Sequence, residues 1–214
     1  LKETSGLGFA GYSTRYWFVG DLDPTLHYLT RASFDGDMTP AAAYDDLIDG
    51  ICGPGVSQRT ALGFQAIEKA TALIDENDLG FAFPVPGMVM KHFGSDPAPQ
   101  WWEEATAAYT EGMVEMYRGQ SRAGKAGRNY ILYHAKRHEF ALTYLAAITS
   151  LRAAAAARQE GDVDTMFEEL GNAAESLYNA TSCIGEVAVS NSDRGLIAVM
   201  AEFGYRPLMS ELDR

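Results

Sequence analysis

The stretch GYSTRYWFVGDLDP, Gly11 to Pro24, sets Arg15 among Tyr12, Tyr16 and Trp17 and then turns acidic at Asp21 and Asp23. These residue types suit a carbohydrate. Tyrosine and tryptophan rings stack on the apolar face formed by a sugar's axial hydrogens, and a guanidinium offers a fixed fork of donors to hydroxyls or a carboxylate. Asp21 and Asp23 can receive hydroxyl donors or cap a helix. Tyr12, Arg15, Tyr16, Trp17 and Asp21 are therefore the candidate substrate-binding residues. The competing reading of the same stretch is an aromatic core closed by an internal Arg–Asp bridge.

Other chemistry is sparser. The segment YHAKRHEF places His134 and His138 four apart, a spacing that can share a metal, but it lacks the glutamate after the first histidine that activates water in zinc proteases. It reads instead as a polar helix face on which Arg137, His138 and Glu139 make ordinary hydrogen bonds, so no metal and no cofactor is expected. Arg137 is in phase with an apolar stripe and is expected to meet a buried acid or carbonyl. The triplet NAT at Asn179 to Thr181 matches a glycosylation acceptor but falls inside a helical pattern, and NSDRG, Asn191 to Gly195, reads as a turn and helix cap. Neither a phosphate-cradling glycine loop nor a nucleophile elbow occurs. Asp21, Asp23, Asp45 and Asp46 are each compatible with capping or a solvated face, so no catalytic residue is assigned.

The elements that must position these residues are mostly helices. Leu7 to Val19 is rich in aromatic residues, threonine and glycine without helical periodicity and reads as a strand or extended segment. Asp23 followed by Pro24 then starts a helix carrying Leu26, Leu29 and Ala32 toward Phe34, with Asp23 as the cap. Thr39 and Pro40 start a second, stopped by Gly50 or Gly53. Ser57 caps a third through about Asp75, with Leu62, Ala66, Ile67, Ala70, Leu73 and Ile74 on one face. A packed, proline-rich loop with a short helix at Met88 to Phe93 follows. Trp102, Ala105, Tyr109, Met113 and Met116 mark the next helix, and Tyr130 through Leu151 the longest, from about Arg128 to Arg158. Asp162 caps another with Val163, Phe167, Leu170, Ala174, Leu177, Thr181, Ile184 and Ala188 inward, and a last helix near Arg194 to Phe203 stops at Gly204. The expected fold is all-α, an antiparallel helical bundle with a short extended N-terminal segment. Residues 1–20 would be that segment, completing a sheet of a partner or parent chain, and residues 21–214 the helical domain.

Composition narrows the partners. A formal net charge of −12 over 214 residues repels phosphate backbones and anionic bilayers, which argues against nucleic acid and membrane. No run approaches the roughly 20 apolar residues of a membrane span. LKETSGLGFAGYS also lacks the basic and apolar regions of a signal peptide, so the chain reads as soluble with its compartment open. A start at Leu1 rather than Met is expected of a processed chain or a fragment. Cys52 and Cys183 lack the spacing of a zinc or redox motif and read as buried free thiols.

Ala10 to Gly53 resembles the end of large glycoside hydrolases of the α-glucuronidase-like and α-N-acetylglucosaminidase-like kind, in which a last barrel strand passes into a C-terminal helical domain. The resemblance lies in the order of parts: an aromatic, arginine-bearing strand end, a helix with LTRASF, then TP before a helix with YDD. It covers about the first quarter of the chain; the rest is similar in helix content and length. It implies that Arg15, Tyr16 and Trp17 line a sugar pocket, since barrel active sites lie at the C-terminal ends of strands. It also implies that the catalytic carboxylates sit on another polypeptide or a preceding catalytic domain, which would make the chain a subunit or a C-terminal piece. The alternative is a freestanding helical binding or oligomerisation module without catalysis, its N-terminal segment adding to a partner's sheet edge.

Overall fold

Local start and stop chemistry lays out the helices. The computed structural model describes residues 22–77, 87, 89–94 and 97–214, and the expected extended segment lies outside them. α1 spans Asp23–Ala32, α2 Pro40–Cys52, α3 Ser57–Asn77, α4 Trp101–Gln120, α5 Lys125–Glu160, α6 Val163–Val187, α7 Asn191–Met200 and α8 Arg206–Leu212. A 3-10 turn at Met90–Gly94 precedes α4, and a π turn at Ala201–Tyr205 joins α7 to α8. There is no strand among the described residues, and the protein is an all-α helical bundle.

Several ends are set by the residues that the sequence marks. The Ala42 N–H donates to Thr39 Oγ1 at 3.1 Å, and Gly53 closes α2 at a φ of 87°, where a side chain would be strained. Asp162 accepts from the Thr165 N–H at 3.1 Å to start α6. Ser190 and Asp193 satisfy each other's backbone N–H groups in a capping box at the start of α7, the role expected of NSDRG.

The helices divide into two units, residues 22–62 with 115–134 and residues 63–114 with 135–214. In the first, Ala43, Ile48 and Cys52 are the buried face of α2. Cys52 meets the start of α5 closely: its carbonyl accepts from the Gly124 N–H at 2.9 Å, and a Cβ on Gly127 would lie 2.4 Å from Cys52 Cα. The second unit has the larger apolar core. Trp102 of α4, Ile148 and Leu151 of α5, Leu170 and Leu177 of α6 and Leu208 of α8 are sealed in it with Phe93 of the 3-10 turn. Burying one such side chain fully is worth about 1.5–3 kcal/mol. Ala147, Ala154 and Ala155 let neighbours approach α5 closely. By length and composition α5 is apolar enough to cross a membrane, contrary to the reading of the sequence, and part of that apolar surface lies in this core.

Three expectations are corrected. Leu62, Val163 and Phe167 are exposed although each falls on a predicted apolar face: Leu62 lies off the buried line of Thr60, Gly63, Ala66 and Ala70, and Val163 and Phe167 stand in the first turns of α6, ahead of its first buried residue, Leu170. The last helix does not stop at Gly204. It runs through the π turn, where the Arg206 N–H reaches back to the Ala201 carbonyl, and continues to Leu212. Pro207 supplies the reason: it has no N–H for the ordinary ladder and its ring would strike the carbonyl four residues before it, so the backbone widens by one residue instead. Asp23, finally, is not the cap of α1. Leu22 holds that position without a side-chain bond, and Asp23 lies in the first turn, where its charge still meets the positive end of the helix.

Candidate functional site

Tyr12, Arg15, Tyr16, Trp17 and Asp21 lie outside the described residues, which begin at Leu22, one residue beyond Asp21. What the structure places next to them in the chain is the α1–α2 pair. His27 and Arg31 stand four apart on one side of α1 and both address Asp46 of α2. The His27 Nε2–H donates to Asp46 Oδ2 at 2.9 Å, and Arg31 Nε lies 3.4 Å from the same oxygen. One carboxylate thus orients an imidazole and a guanidinium together. All three side chains stay partly in water, so the contact is screened and weak as a source of stability. The spacing of His27 and Arg31 is legible in the sequence, but the choice of Asp46 over Asp45 needs the register of α2.

None of the ten residues of α1 is buried. Leu26, Tyr28, Leu29 and Ala32 are half-buried, and Phe34, just past the helix, is 91% exposed. Phe34 therefore does not close an apolar cluster with Leu26 and Leu29.

The other candidate positions resolve into packing. His134 and His138 are completely buried rather than on a polar face, because the buried stripe of α5 runs through Ile131, His134, Ala135 and His138. His138 Nε2 bonds the Gly63 carbonyl at 3.3 Å, and its ring lies where a Cβ on Gly112 would come within 2.2 Å. His134 meets the edges of Tyr130 and Tyr133, with ring centroids 4.7 and 5.4 Å away. Among the described residues no three His, Cys, Asp or Glu side chains gather to hold a metal ion. Arg137, expected in phase with the apolar stripe, is half-buried.

Polar groups elsewhere fasten elements. The Arg59 hydrogen bond to Glu115 at 2.8 Å, with Arg118 on the other oxygen, holds the Glu115 carboxyl below its usual range against the opposing effect of burial. Arg152 donates to His92 Nδ1 at 3.2 Å and to the Pro97 carbonyl, and stacks 4.7 Å over Trp102. Arg158 bonds the Phe93 carbonyl while covering its ring at 4.1 Å, so Arg152 and Arg158 together pin the 3-10 turn to α5. Tyr44 donates to Thr60 at 2.6 Å, and burial pushes its phenol above the ordinary range.

Cys52 and Cys183 are free and buried, as expected. Burial pushes both thiols up to about 11, with the Glu139 carboxylate beside Cys183 adding to it, so neither is a ready nucleophile at neutral pH. Asn179 is exposed on α6, and Thr181 bonds back to the Leu177 carbonyl at 2.9 Å as an ordinary helical threonine. No protein-family model, curated protein or solved structure matches the chain.

Proposed function

We propose that the chain is the helical domain or subunit of a carbohydrate-active enzyme that cleaves glycosidic bonds, bordering its sugar site and supplying binding and shape. The acid and base carboxylates of that reaction belong to another polypeptide or a preceding catalytic domain. In this reading Tyr12, Tyr16 and Trp17 stack on the sugar, Arg15 takes a carboxylate or hydroxyls, and Asp21 receives a hydroxyl donor. The observation that carries it is α1. It begins two residues after Asp21 and repeats apolar residues at helical spacing, yet none of its residues is buried in the described part of the chain. An apolar stripe left half in water is what a helix shows when a further body completes its cover.

The freestanding binding or oligomerisation module rests on the same uncovered stripe, and one experiment separates the two. In the assembly that contains this chain, Arg15→Ala is expected to lower kcat/KM on a uronic-acid-bearing glycoside about tenfold or more while the unfolding midpoint stays put. An assembly without glycosidase activity favours the module. Loss of folding and activity together returns Arg15 to an internal salt bridge.

A further inference from the structure

Tyr178 of α6 is 60% exposed, although Leu177 before it and Ala180 after it have no exposure at all. Its ring leans on Tyr205 at the end of the π turn, with centroids 6.3 Å apart and planes inclined by 53°. The pair is set by a buried contact one residue back in each segment. Gly204 sits so close to Leu177 that a Cβ there would lie 3.1 Å from Leu177 Cδ2 and 3.3 Å from Val89 Cγ2. Leu177 and Gly204 each precede one of the tyrosines, so this close approach registers the two rings side by side. The π turn that Pro207 imposes aims Tyr205, and such turns recur at functional sites.

We propose that Tyr178 and Tyr205 form a carbohydrate-binding platform for the pyranose units of an oligosaccharide, an inference whose ligand class rests on the function proposed above. The exposed ring of Tyr178, backed by the half-buried Tyr205 that packs on the core, offers a stacking surface to axial hydrogens at little entropic cost. Hydroxyl partners flank them. Glu175 and Ser182 lie three before and four after Tyr178 on α6, and the Glu202–Arg206 ion pair, closed at 2.8 Å, brackets Tyr205 in the chain. A stacked nucleobase is disfavoured, because a chain of net charge −12 repels the phosphates that come with it. Two rings among polar and charged neighbours also make too small an apolar area for a stable protein interface.

The test is isothermal titration of the full chain with cellohexaose and with xylohexaose. At least one probe is expected to bind, with Tyr178→Ala weakening it about tenfold and Tyr178→Phe changing it less than about threefold, since stacking rather than the hydroxyl dominates. Thermal unfolding of Tyr178→Ala should match the parent, as the ring is mostly in water. Absence of binding by the parent chain, or equal affinity in Tyr178→Ala, overturns the proposal. So does a concentration-dependent dimer in sedimentation that Tyr178→Ala abolishes, which would assign the rings to a protein contact. Arg15→Ala should leave this affinity intact, so an Arg15 variant that keeps full turnover in the assembly sinks the N-terminal sugar site without touching the platform.

Discussion

α1 and α6 both repeat apolar residues at helical spacing, but α6 buries seven side chains, from Leu170 to Ile184, and α1 buries none. α6 is held by apolar contact along most of its length, supplemented by the close approach of Gly204. α1 leaves its leucines half-buried and is tied to α2 by one carboxylate, Asp46, shared between His27 and Arg31. Periodicity shows that a helix has a face; it says nothing of what covers that face. A helix held by water-screened charge is the one available to answer to a partner.

The contrast can be broken most directly in the core. Leu170→Ala on α6 should cost about 2–5 kcal/mol in urea unfolding, the range for deleting a sealed leucine. Leu29→Ala on α1 should cost less than about 1 kcal/mol in the same chain. Equal losses would mean that α1 is covered after all. Next in size is Gly127→Ala, expected to destabilise by about 1–3 kcal/mol because the new methyl meets backbone that cannot yield. That obstruction is Cys52 Cα at 2.4 Å, whereas Gly204→Ala meets the movable end of Leu177 and should lose less.

Smaller still, and confined to acid, is the contribution of Glu115. Its folded pKa is depressed by the hydrogen bond from Arg59, so its stabilisation is complete above the unfolded value of about 4.3 and is lost as pH falls through the lowered folded value. Glu115→Gln should flatten that acid limb in a pH series of unfolding curves. The smallest effect belongs to Asp46→Asn, below about 1 kcal/mol and shrinking with added salt. Its clearer readout is faster amide hydrogen exchange along α1 with α6 unchanged; uniform protection in the variant would show that the apolar contacts of α1 suffice.

The legible parts of the fold are those whose chemistry closes within one turn. Thr39, Pro40, Gly53, Asp162 and the Ser190–Asp193 box act on backbone groups three or four residues away, so their spacing is enough to place them. The burial of the histidines is not legible because imidazole is polar by type, and the gap at Gly112 makes room for His138 in a core. Phe167 and Leu62 differ in the opposite sense, being apolar by type but left in water, Phe167 ahead of the buried part of α6 and Leu62 off the buried line of α3. Of the candidate site, the types at Tyr12 to Asp21 carry the carbohydrate reading, and those residues stand outside the described part of the chain. Tyr178 lies one position off the apolar stripe, where a tyrosine has the sequence signature of any surface residue.

By itself the sequence determined an all-α chain, its helix starts and most of its stops, because propensity, caps and proline act over a few residues of backbone. Tertiary structure alone decided which faces were covered, which carboxylate His27 found and which two tyrosines met. Those outcomes depend on contacts between segments distant in the chain, where an approach of a few ångströms separates a buried wall from an exposed ring.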